Sequence, residues 1–481
     1  MPWFLLLSVL LAAAPALHAG EPRWDLPPMT TWAEGDDPRT AVTIAWETPD
    51  PLPATLRWQE ETADPSDDSA WERIERPPSR RHVVPLRDLQ PGTAYRYDLV
   101  APPSPALRTG RFKTAPSDPA TPFRFVLHND LQGGLNEEAA RRVCAAVIRT
   151  RPDFVFSTGD LADSRYAGDF PGVLLSWRKF FEICSNELAS FVFQPVTGNH
   201  DEPENPDSYW HRLLELPGDG RDYTLDIGPI RFIAVDSAEF EVPARTPWLA
   251  RELQKAAADP NIRWIIPAFH RPPYSFGERG GQSIIRDHWV PLFTRYEVGL
   301  VLSGHAHTYQ RLHPQDGVNY LVSGGGGGSL YAVEPQNPAV AFATSCYHAV
   351  QFTVADTNIY LQAFTDEGLP FDRAVYQAHR FVRVTPAFPE RGGTCTIDYN
   401  PAGGPLANAS DVHLHLGRDE FNQLLMNVPM TRDPDTGHWT HTFTVPDTPK
   451  WNLAFCFCNA DQTIWHNNHR QNWQTLLQRP W

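Results

Sequence analysis

The sequence predicts three units in one chain: an all-β sandwich, then an α/β sandwich, then a small all-β sandwich. Residues 22–117 hold strand-like runs separated by proline and glycine turns. Residues 123–380 alternate apolar strands with helical stretches, and residues 392–481 return to strand-like runs alone. Alternating strands and helices indicate a sheet covered by helices, whereas successive short strands indicate a β-sandwich. A length of 481 residues suits this organisation, since it allows about three domains.

The chain begins with an apolar run, MPWFLLLSVLLAAAPALHAG, that ends in small residues. This pattern is typical of a secretory signal peptide, predicted over residues 1–19, with cleavage after Ala16 or Ala19. A membrane anchor is disfavoured because the run is short and is interrupted by Pro15. We therefore expect a secreted or periplasmic protein with no membrane partner.

The N-terminal unit, residues 22–117, contains the runs AVTIAWET, ATLRWQEE, HVVPLRDL and AYRYDLV. Their apolar and polar residues alternate as in half-buried strands. The phrase LRDLQPGTAYRYDLV resembles the later strands of a fibronectin type III module, which implies a structural role beside a cleft. Residues 116–122, PSDPATP, are interpreted as the linker to the central unit.

Five apolar runs of the central unit each end in residues of metal-ligand type. They are FRFVLHND ending at Asp130, DFVFSTGD at Asp160, FVFQPVTGNHD at Asn199 to Asp201, WIIPAFH at His270, and VGLVLSGHAH at His305 and His307. Functional side chains of an α/β sheet sit just past the carboxyl ends of buried strands. Two carboxylates, an amide oxygen and several imidazoles form a ligand set for two borderline metal ions.

Each run alone has a simpler interpretation. Asp130 could cap the helix NEEAARRVCAAVIRT, because Asp is favoured at that position. Asp160 and Asn199 could cap loops, and the histidines could be ordinary residues at strand ends. Their order along the chain favours a shared site. His128, on the same strand face as Asp130, is interpreted as structural.

Together these residues resemble the pattern of the calcineurin-like metallophosphoesterases, with the purple acid phosphatase-like branch as the nearest match. That pattern is an early Asp, GD, GNH followed by an acid, a His after an apolar strand, and GHxH. The resemblance covers roughly residues 22–380 and implies a four-layer α/β sandwich with two metal ions of iron, zinc or manganese. By resemblance, Asp160 bridges both ions, Asp130 and His307 hold the first, and Asn199, His270 and His305 hold the second.

The same resemblance makes His200 the general acid beside the leaving group, held by Asp201. The expected reaction is hydrolysis of a phosphate monoester, or of a diester, by metal-activated hydroxide. Gln132 stands where many relatives carry His, so either its amide is a weak ligand or a coordination position stays open. Asp163 stands where the purple enzymes place a tyrosine ligand, so we expect no purple colour and assign no metals.

The formal net charge of −16 argues against a nucleic-acid partner, because the whole chain lacks an attractive field for DNA or RNA. An exported nuclease is therefore disfavoured. The charge does not exclude a small phosphate ester, since two metal ions dominate the local field. The six cysteines suit export, but six allow fifteen disulfide patterns, and none is assigned.

The tail, residues 392–481, ends in TIWHNNHRQNW. This phrase resembles the terminal motif of starch-binding carbohydrate modules and implies a starch-like polysaccharide partner. Tryptophan stacks on sugar rings and asparagine hydrogen-bonds their hydroxyls. The implied ligand residues are Trp465, Asn467, Asn468 and Trp473. Two alternatives stay open: the tryptophans are core residues, or the chain is a catalytically impaired polysaccharide-binding protein, which the departures at Gln132 and Asp163 would allow.

Overall fold

A computed structural model describes residues 26–100, 108–163, 170–201, 208–355, 357–378, 380–449, 451–468, 470 and 472–478. The predicted signal peptide lies outside these residues, as does most of the stretch from residue 164 to residue 172. Within the described ranges, no helix combines the length and the apolar character that crossing a bilayer requires.

The described N-terminal residues form β1 (Leu26–Thr31), β2 (Val42–Glu60), β3 (Glu72–Leu86), β4 (Ala94–Val100) and β5 (Arg108–Lys113). The central unit follows with β6 (Phe123–Leu127), α1 (Glu137–Thr150), β7 (Phe154–Ser157), α2 (Phe170–Ile183), α3 (Ser185–Ser190), β8 (Val192–Pro195), α4 (Tyr209–Leu213), β9 (Tyr223–Ile227), β10 (Ile230–Ala234), α5 (Val242–Ala258), β11 (Trp264–Ala268), α6 (Ser283–His288), α7 (Val290–Arg295), β12 (Leu300–Ser303), β13 (Tyr309–Leu312), β14 (Asn319–Ser323), β15 (Val340–Thr344), β16 (His348–Ala355), β17 (Asn358–Thr365) and β18 (Pro370–Gln377). The tail contains β19 (Val382–Thr385), β20 (Thr394–Tyr399), β21 (His413–Arg418), β22 (Gln423–Pro429), β23 (Thr431–Arg432), β24 (Trp439–Thr444), β25 (Asn452–Cys458), β26 (Trp465–His466) and β27 (Trp473–Leu476).

Two sheets face each other in the central unit. The first runs in the order β18-β17-β16-β6-β7-β8-β1-β2-β4-β5, with β3 on β2, and the second runs in the order β15-β13-β14-β12-β11-β10-β9. Strands β6, β7 and β8 are parallel to one another, and so are β10, β11, β12 and β14. The carboxyl ends of parallel strands gather at one edge of each sheet, where a site can form.

The apolar side chains divide into layers. Phe125 and Phe154 of the first sheet share a core with Phe232 and Ile266 of the second. Helices α1 to α4 cover the outer face of the first sheet, and α5 to α7 cover the outer face of the second. Because both faces are covered, the central strands are apolar almost throughout. The result is the predicted four-layer α/β sandwich.

Helix α1 begins at Asn136 rather than at Asp130. The Asn136 side chain accepts a hydrogen bond from the backbone N–H of Ala139 at 3.2 Å, as an N-cap residue does. Ala140, Val143 and further apolar residues on one face of the helix pack against the first sheet. The capping interpretation of Asp130 is therefore wrong, and its carboxylate serves the site described below.

The N-terminal strands are not a sheet of their own. Strand β1 pairs in parallel with β8, with Thr30 opposite Val192. The Gln194 side chain strengthens the junction, because its Oε1 accepts a hydrogen bond from the Trp32 N–H at 3.1 Å. Strand β1 thus joins the N-terminal strands to the first sheet, and the expectation of an all-β sandwich in this part of the chain stays a prediction. The fibronectin type III likeness stays a prediction.

The tail is a small β-sandwich. One sheet has the order β19-β20-β24-β23, and the other has the order β22-β21-β25-β26 with β27 paired to β25. Ile397 and Tyr399 of the first sheet share a buried core with Leu414, Phe455 and Phe457 of the second. Two sheets around one apolar core form the architecture that the strand-like runs of the tail predict.

Candidate metal centre

The predicted ligands meet at the carboxyl ends of strands from both sheets. Asp130 follows β6, Asp160 follows β7, Asn199 follows β8, His270 follows β11, and His305 and His307 follow β12. The facing sheets therefore bring together residues that are separated by up to 177 positions in the sequence. Asp130, Asp160, His270 and His307 are buried, whereas Asn199 and His305 are partly exposed.

Two sets of donor atoms share one carboxylate. Asp130, Asp160 and His307 form one set, and Asp160, His270 and His305 form the other. Within each set the ligand atoms lie within 4.8 Å of one another. Asp160 is therefore common to both sets, and its role as a bridge between two cations stays a prediction. Carboxylates and imidazoles suit zinc, iron or manganese, so the residues present fit a pair of such ions.

Hydrogen bonds orient the imidazoles. His270 donates from Nδ1 to the Thr158 carbonyl at 2.9 Å, and its Nε2 lies 3.1 Å from Asp160 Oδ2. His307 donates from Nδ1 to the Ser329 carbonyl at 2.7 Å, and its Nε2 lies 3.5 Å from Asp130 Oδ1. A backbone acceptor on one ring nitrogen fixes the tautomer, so the other nitrogen presents a lone pair to a cation.

The backbone around the ligands has unusual conformations. Asp130, Asp160 and His305 have φ values of 57°, 56° and 67°, in the left-handed region that non-glycine residues rarely adopt. The His305 N–H stabilises one of these turns by donating to both carboxylate oxygens of Asp130, each at 3.1 Å. Strained residues of this kind persist where the surrounding structure holds them, and they cluster at functional sites.

The glycine run Gly324 to Gly328 passes directly beneath the ligands. A Cβ atom on Gly326 would lie 2.0 Å from the Asn129 carbonyl oxygen, and one on Gly328 would lie 2.4 Å from His307 Cε1. A larger residue would force a backbone shift at Gly326 and a side-chain shift of His307 at Gly328. The run therefore allows close packing under the centre.

Asn199 and Gln132 supply amide groups. Asn199 Oδ1 is buried and has no hydrogen-bond partner among the residues that the structure describes. A buried acceptor without a partner is costly, and a cation beside it would remove that cost. The Gln132 amide nitrogen lies 3.2 Å from Nε2 of both His200 and His307. Its amide is thus within the centre, where rotation by 180° would present the oxygen instead.

The pKa values fit a centre that attracts positive charge. Burial alone would raise the pKa of Asp160, but the charges of His270 and His200 hold that pKa below its usual value. Burial likewise opposes protonation of His270, yet the charge of Asp160 raises the pKa of this imidazole to about 9. Protons and cations compete for the same donor atoms, so cation affinity falls as the pH falls.

Asp163, rather than Asp201, orients the His200 ring. His200 Nδ1 lies 2.7 Å from Asp163 Oδ1, and both side chains are nearly buried. The Asp201 carboxylate instead accepts four backbone N–H groups, those of Asp160, Leu161, Ala162 and Gly198. The expectation that Asp201 holds His200 is corrected: Asp201 shapes the loop that carries Asp160. Sequence reasoning missed the role of Asp163, although a carboxylate three residues beyond Asp160 was a usable signal.

A cavity of about 330 Å³ adjoins Asn199 and His270. Ser237, Arg271 and the 74% exposed ring of Phe240 also line it. Arg271 is partly neutralised because its Nη1 lies 3.1 Å from Glu239 Oε1. The cavity therefore opens beside the second donor set and is large enough for the organic part of a small ester.

The structure does not bring the implied carbohydrate ligands to the surface as a group. Trp473 is only 3% exposed, and its Nε1 donates to Glu297 Oε1 at 3.3 Å. Asn468 is 5% exposed and donates to the Thr294 carbonyl at 2.9 Å. The expectation is wrong for both residues, because they pack against the central unit. Trp465 is 36% exposed and Asn467 is half-buried.

Comparisons with known proteins agree with this geometry. Residues 123–309 match the calcineurin-like phosphoesterase family. The acid phosphatase type 7 of Homo sapiens is 29% identical over 276 residues, which cover 51% of this chain and 59% of that protein. An uncharacterised protein of Mycobacterium tuberculosis is 27% identical over 274 residues, which cover 48% of this chain and 50% of that protein.

Two solved structures share the fold. The purple acid phosphatase PPD1 from yellow lupin (Lupinus luteus) has a TM-score of 0.58 at 18% identity, with 74% of each chain covered. PhoD has a TM-score of 0.55 at 14% identity, with 76% of this chain and 92% of that chain covered. Residues 123–309 are thus similar to the calcineurin-like phosphoesterases, the chain is similar in sequence to acid phosphatases, and it shares its fold with a purple acid phosphatase. The match spans 59% of the length of the human acid phosphatase type 7 and 50% of the length of the Mycobacterium tuberculosis protein.

Proposed function

We propose that this protein is a binuclear metal-dependent phosphoesterase that hydrolyses phosphate monoesters, with diesters as the second substrate class. The observation that carries the proposal is the sharing of Asp160 between two sets of donor atoms. A shared carboxylate holds two cations close together, which is the arrangement that phosphate-ester hydrolysis uses. The similarity to acid phosphatases supports the same reaction class.

In this proposal Asp130 and His307 hold one cation, His270, His305 and Asn199 hold the other, and Asp160 bridges them. When bound, such ions activate water as a nucleophile near neutral pH and offset the negative charge of the phosphoryl oxygens. The unpaired Oδ1 of Asn199 and the inward Nε2 of His270 support these assignments. Gln132 contributes an amide beside the first cation.

His200 acts as the general acid. Its Nδ1 donates to Asp163, so its Nε2 faces the centre, 3.5 Å from Asp160 Oδ2. From this position a protonated ring donates its proton to the departing oxygen of the ester. A positioned acid of this kind contributes about 10²–10⁴-fold in rate. The adjoining cavity, lined by Ser237, Phe240 and Arg271, would receive the alcohol part of the ester.

The test combines elemental analysis with a panel of chromogenic mono- and diesters. We expect two transition-metal equivalents at these ligands and preferential cleavage of monoesters. Asp160→Asn should abolish turnover and release most of these cations, because it weakens both sets at once. The matched control, Asp316→Asn in an exposed turn, should leave both unchanged. Turnover that survives in Asp160→Asn at the wild-type rate would refute the proposal.

His200→Ala separates binding from chemistry. Because its ring belongs to neither donor set, the variant should keep its cations and lose about 10²–10⁴-fold in turnover. Loss of both cations in a folded His200→Ala protein would show that its role is ligation instead.

We also infer export from the N-terminal apolar run. A mature protein whose first residue is neither Leu17 nor Gly20 would contradict the predicted cleavage.

A further inference from the structure

A second group of metal-ligand side chains lies beneath the first sheet, away from the donor sets that share Asp160. It consists of His128, just after β6, Cys144 in α1, Cys184 before α3, and Glu187 in the first turn of α3. We call these four residues the thiol cluster. All of them are buried, with exposures of 0%, 3%, 0% and 0%. Neither the proposed reaction nor the comparisons use them.

The donor atoms of the thiol cluster are close together. His128 Nδ1 lies 3.1 Å from Glu187 Oε1, and Cys144 Sγ lies 3.3 Å from Cys184 Sγ. Ligand atoms of His128, Cys144 and Glu187 all lie within 4.8 Å of one another. A tetrahedral Zn²⁺ with bonds of about 2.0–2.3 Å spaces its donors about 3.3–3.8 Å apart. The two contacts given above, at 3.1 Å and 3.3 Å, are close to that spacing.

Two polar atoms of the cluster are unsatisfied. His128 Nε2 and Glu187 Oε2 are buried and have no hydrogen-bond partner within the described ranges. A carboxylate without water and with one oxygen unpaired is costly to bury. The hydrogen bond with Cys184, burial and the charge of Glu187 also raise the pKa of the Cys144 thiol well above its usual value. A cation among these donors would offset the buried carboxylate charge and give its unpaired oxygen a partner.

We propose that the thiol cluster binds one Zn²⁺ ion through Cys144, Cys184, Glu187 and His128. Sulfur, imidazole and carboxylate donors in a closed, four-coordinate site are typical of structural zinc. Binding releases one proton from each thiol to solvent and leaves two thiolates and one carboxylate around the ion. Because the cluster is buried, the ion enters as the chain folds and contributes to stability, not to the reaction.

The location indicates what the zinc ion stabilises. His128 is two residues before Asp130, and the thiols lie on α1 and at the start of α3. The ion thus ties two helices of the outer layer to the strand that delivers Asp130. Zinc at the thiol cluster and cations at Asp160 are separate sites, so either can be occupied without the other.

A disulfide between Cys144 and Cys184 is the competing structure. A bond would require oxidation of both thiols and a sulfur separation of about 2.05 Å, against the observed 3.3 Å. It would also leave the Glu187 carboxylate buried with its Oε2 unpaired. A zinc ion accounts for all four side chains, and the disulfide accounts for two.

X-ray absorption on the intact wild-type protein tests the proposal without a variant. The ligands assigned around Asp160 include no sulfur, so a zinc–sulfur shell at about 2.3 Å would report the thiol cluster alone. After exchange with Co²⁺, thiolate-to-cobalt charge-transfer bands should appear in the near ultraviolet. Spectra with no sulfur scattering and no such bands would overturn the proposal, whatever the outcome of the phosphatase assay.

Variants then locate the ion. Asp160→Asn should retain one zinc per chain, whereas Cys144→Ser combined with Cys184→Ser should lose that one. The matched control, Cys395→Ser, removes a buried thiol from the core of the tail and should keep the ion.

Alkylation of denatured, metal-free protein should modify all six cysteines. Two unmodified cysteines identified as Cys144 and Cys184 would establish the disulfide and refute zinc binding.

Discussion

At the scale of single residues, the pairing of His200 with Asp163 changes how the site is understood. The purple acid phosphatases that this chain resembles carry a tyrosine ligand at the position of Asp163. Here the carboxylate belongs to neither donor set, and its Oδ1 lies 2.7 Å from His200 Nδ1. A His–Asp pair fixes the ring orientation and stabilises the imidazolium that acts as the acid. In the proposed mechanism, Asp163 therefore replaces a metal ligand with a residue that positions the His200 ring.

Replacing Asp163 with Asn should slow the reaction and spare cation binding. The Asn side chain keeps the shape but removes the charge that supports a protonated His200. We expect kcat to fall about 10²-fold, with KM and metal content nearly unchanged. A loss in kcat without a change in KM or metal content is a pattern that a merely structural role would not produce. The exposed variant Asp316→Asn is the control; equal effects of the two would refute the assignment.

At the scale of elements, the glycine run from residue 324 to residue 328 decides how closely the second sheet approaches the ligand loops. Gly326 leaves no room for a Cβ atom against the Asn129 carbonyl. Asn129 in turn donates from its side chain to the Ser323 carbonyl at 2.7 Å and accepts from the Thr158 N–H at 2.7 Å. The run therefore positions loops from three strands at once.

Gly326→Ala should destabilise the fold, because the added methyl group overlaps the Asn129 carbonyl oxygen. We expect the free energy of unfolding to fall by about 1–3 kcal/mol, with weaker cation binding. Chemical denaturation of the purified variant measures this change. Gly280→Ala is the matched control, since a Cβ atom there meets nothing within 4 Å. If the two variants are equally stable, the packing argument fails.

The sequence predicted which strands end in site residues, but it did not predict the contacts and strand pairings that these elements make. Apolar runs ending in Asp130, Asp160 and His270 were readable because buried strands have a clear pattern. The carboxylate of Asp163 was visible in the sequence, but its contact with His200 depends on the tertiary arrangement of two loops. The pairing of β1 with β8 was likewise hidden, since sheet order arises from the tertiary fold. Hydrogen bonds across 160 or more positions leave no local signal.

At the scale of the whole molecule, a buried carboxylate joins the tail to the central unit. Glu297 accepts hydrogen bonds from the Phe381 N–H at 2.9 Å and the Val382 N–H at 3.2 Å, and from the Trp473 indole. Burial raises the pKa of Glu297 to about 7, against the opposing effects of Arg380 and the N–H donors. The folded protein thus holds a proton at Glu297 that the unfolded chain releases at lower pH.

This shift predicts that the contribution of Glu297 to stability depends on pH. Between about pH 4.5 and pH 7 the folded state binds more protons than the unfolded state, so stability is lost as the pH rises. The loss is at most about 3 kcal/mol. Urea unfolding of wild type and Glu297→Gln at pH 5 and pH 8 should show a difference that changes with pH. The exposed control Glu334→Gln should follow wild type; a Glu297→Gln curve parallel to wild type would contradict the prediction.

The seam between the tail and the central unit also limits how this protein can be taken apart. Asn468 and Trp473 face inward, and the Gln254 side chain is hydrogen-bonded to both Thr475 and Leu476. If residues 392–478 were fused to an unrelated carrier, the apolar surface that now contacts the central unit would be exposed to water. This exposure would promote aggregation. A fragment that ends at residue 380 would likewise expose the surface of the central unit that now contacts the tail. Engineers who wish to transplant either half would need to rebuild its contact face first.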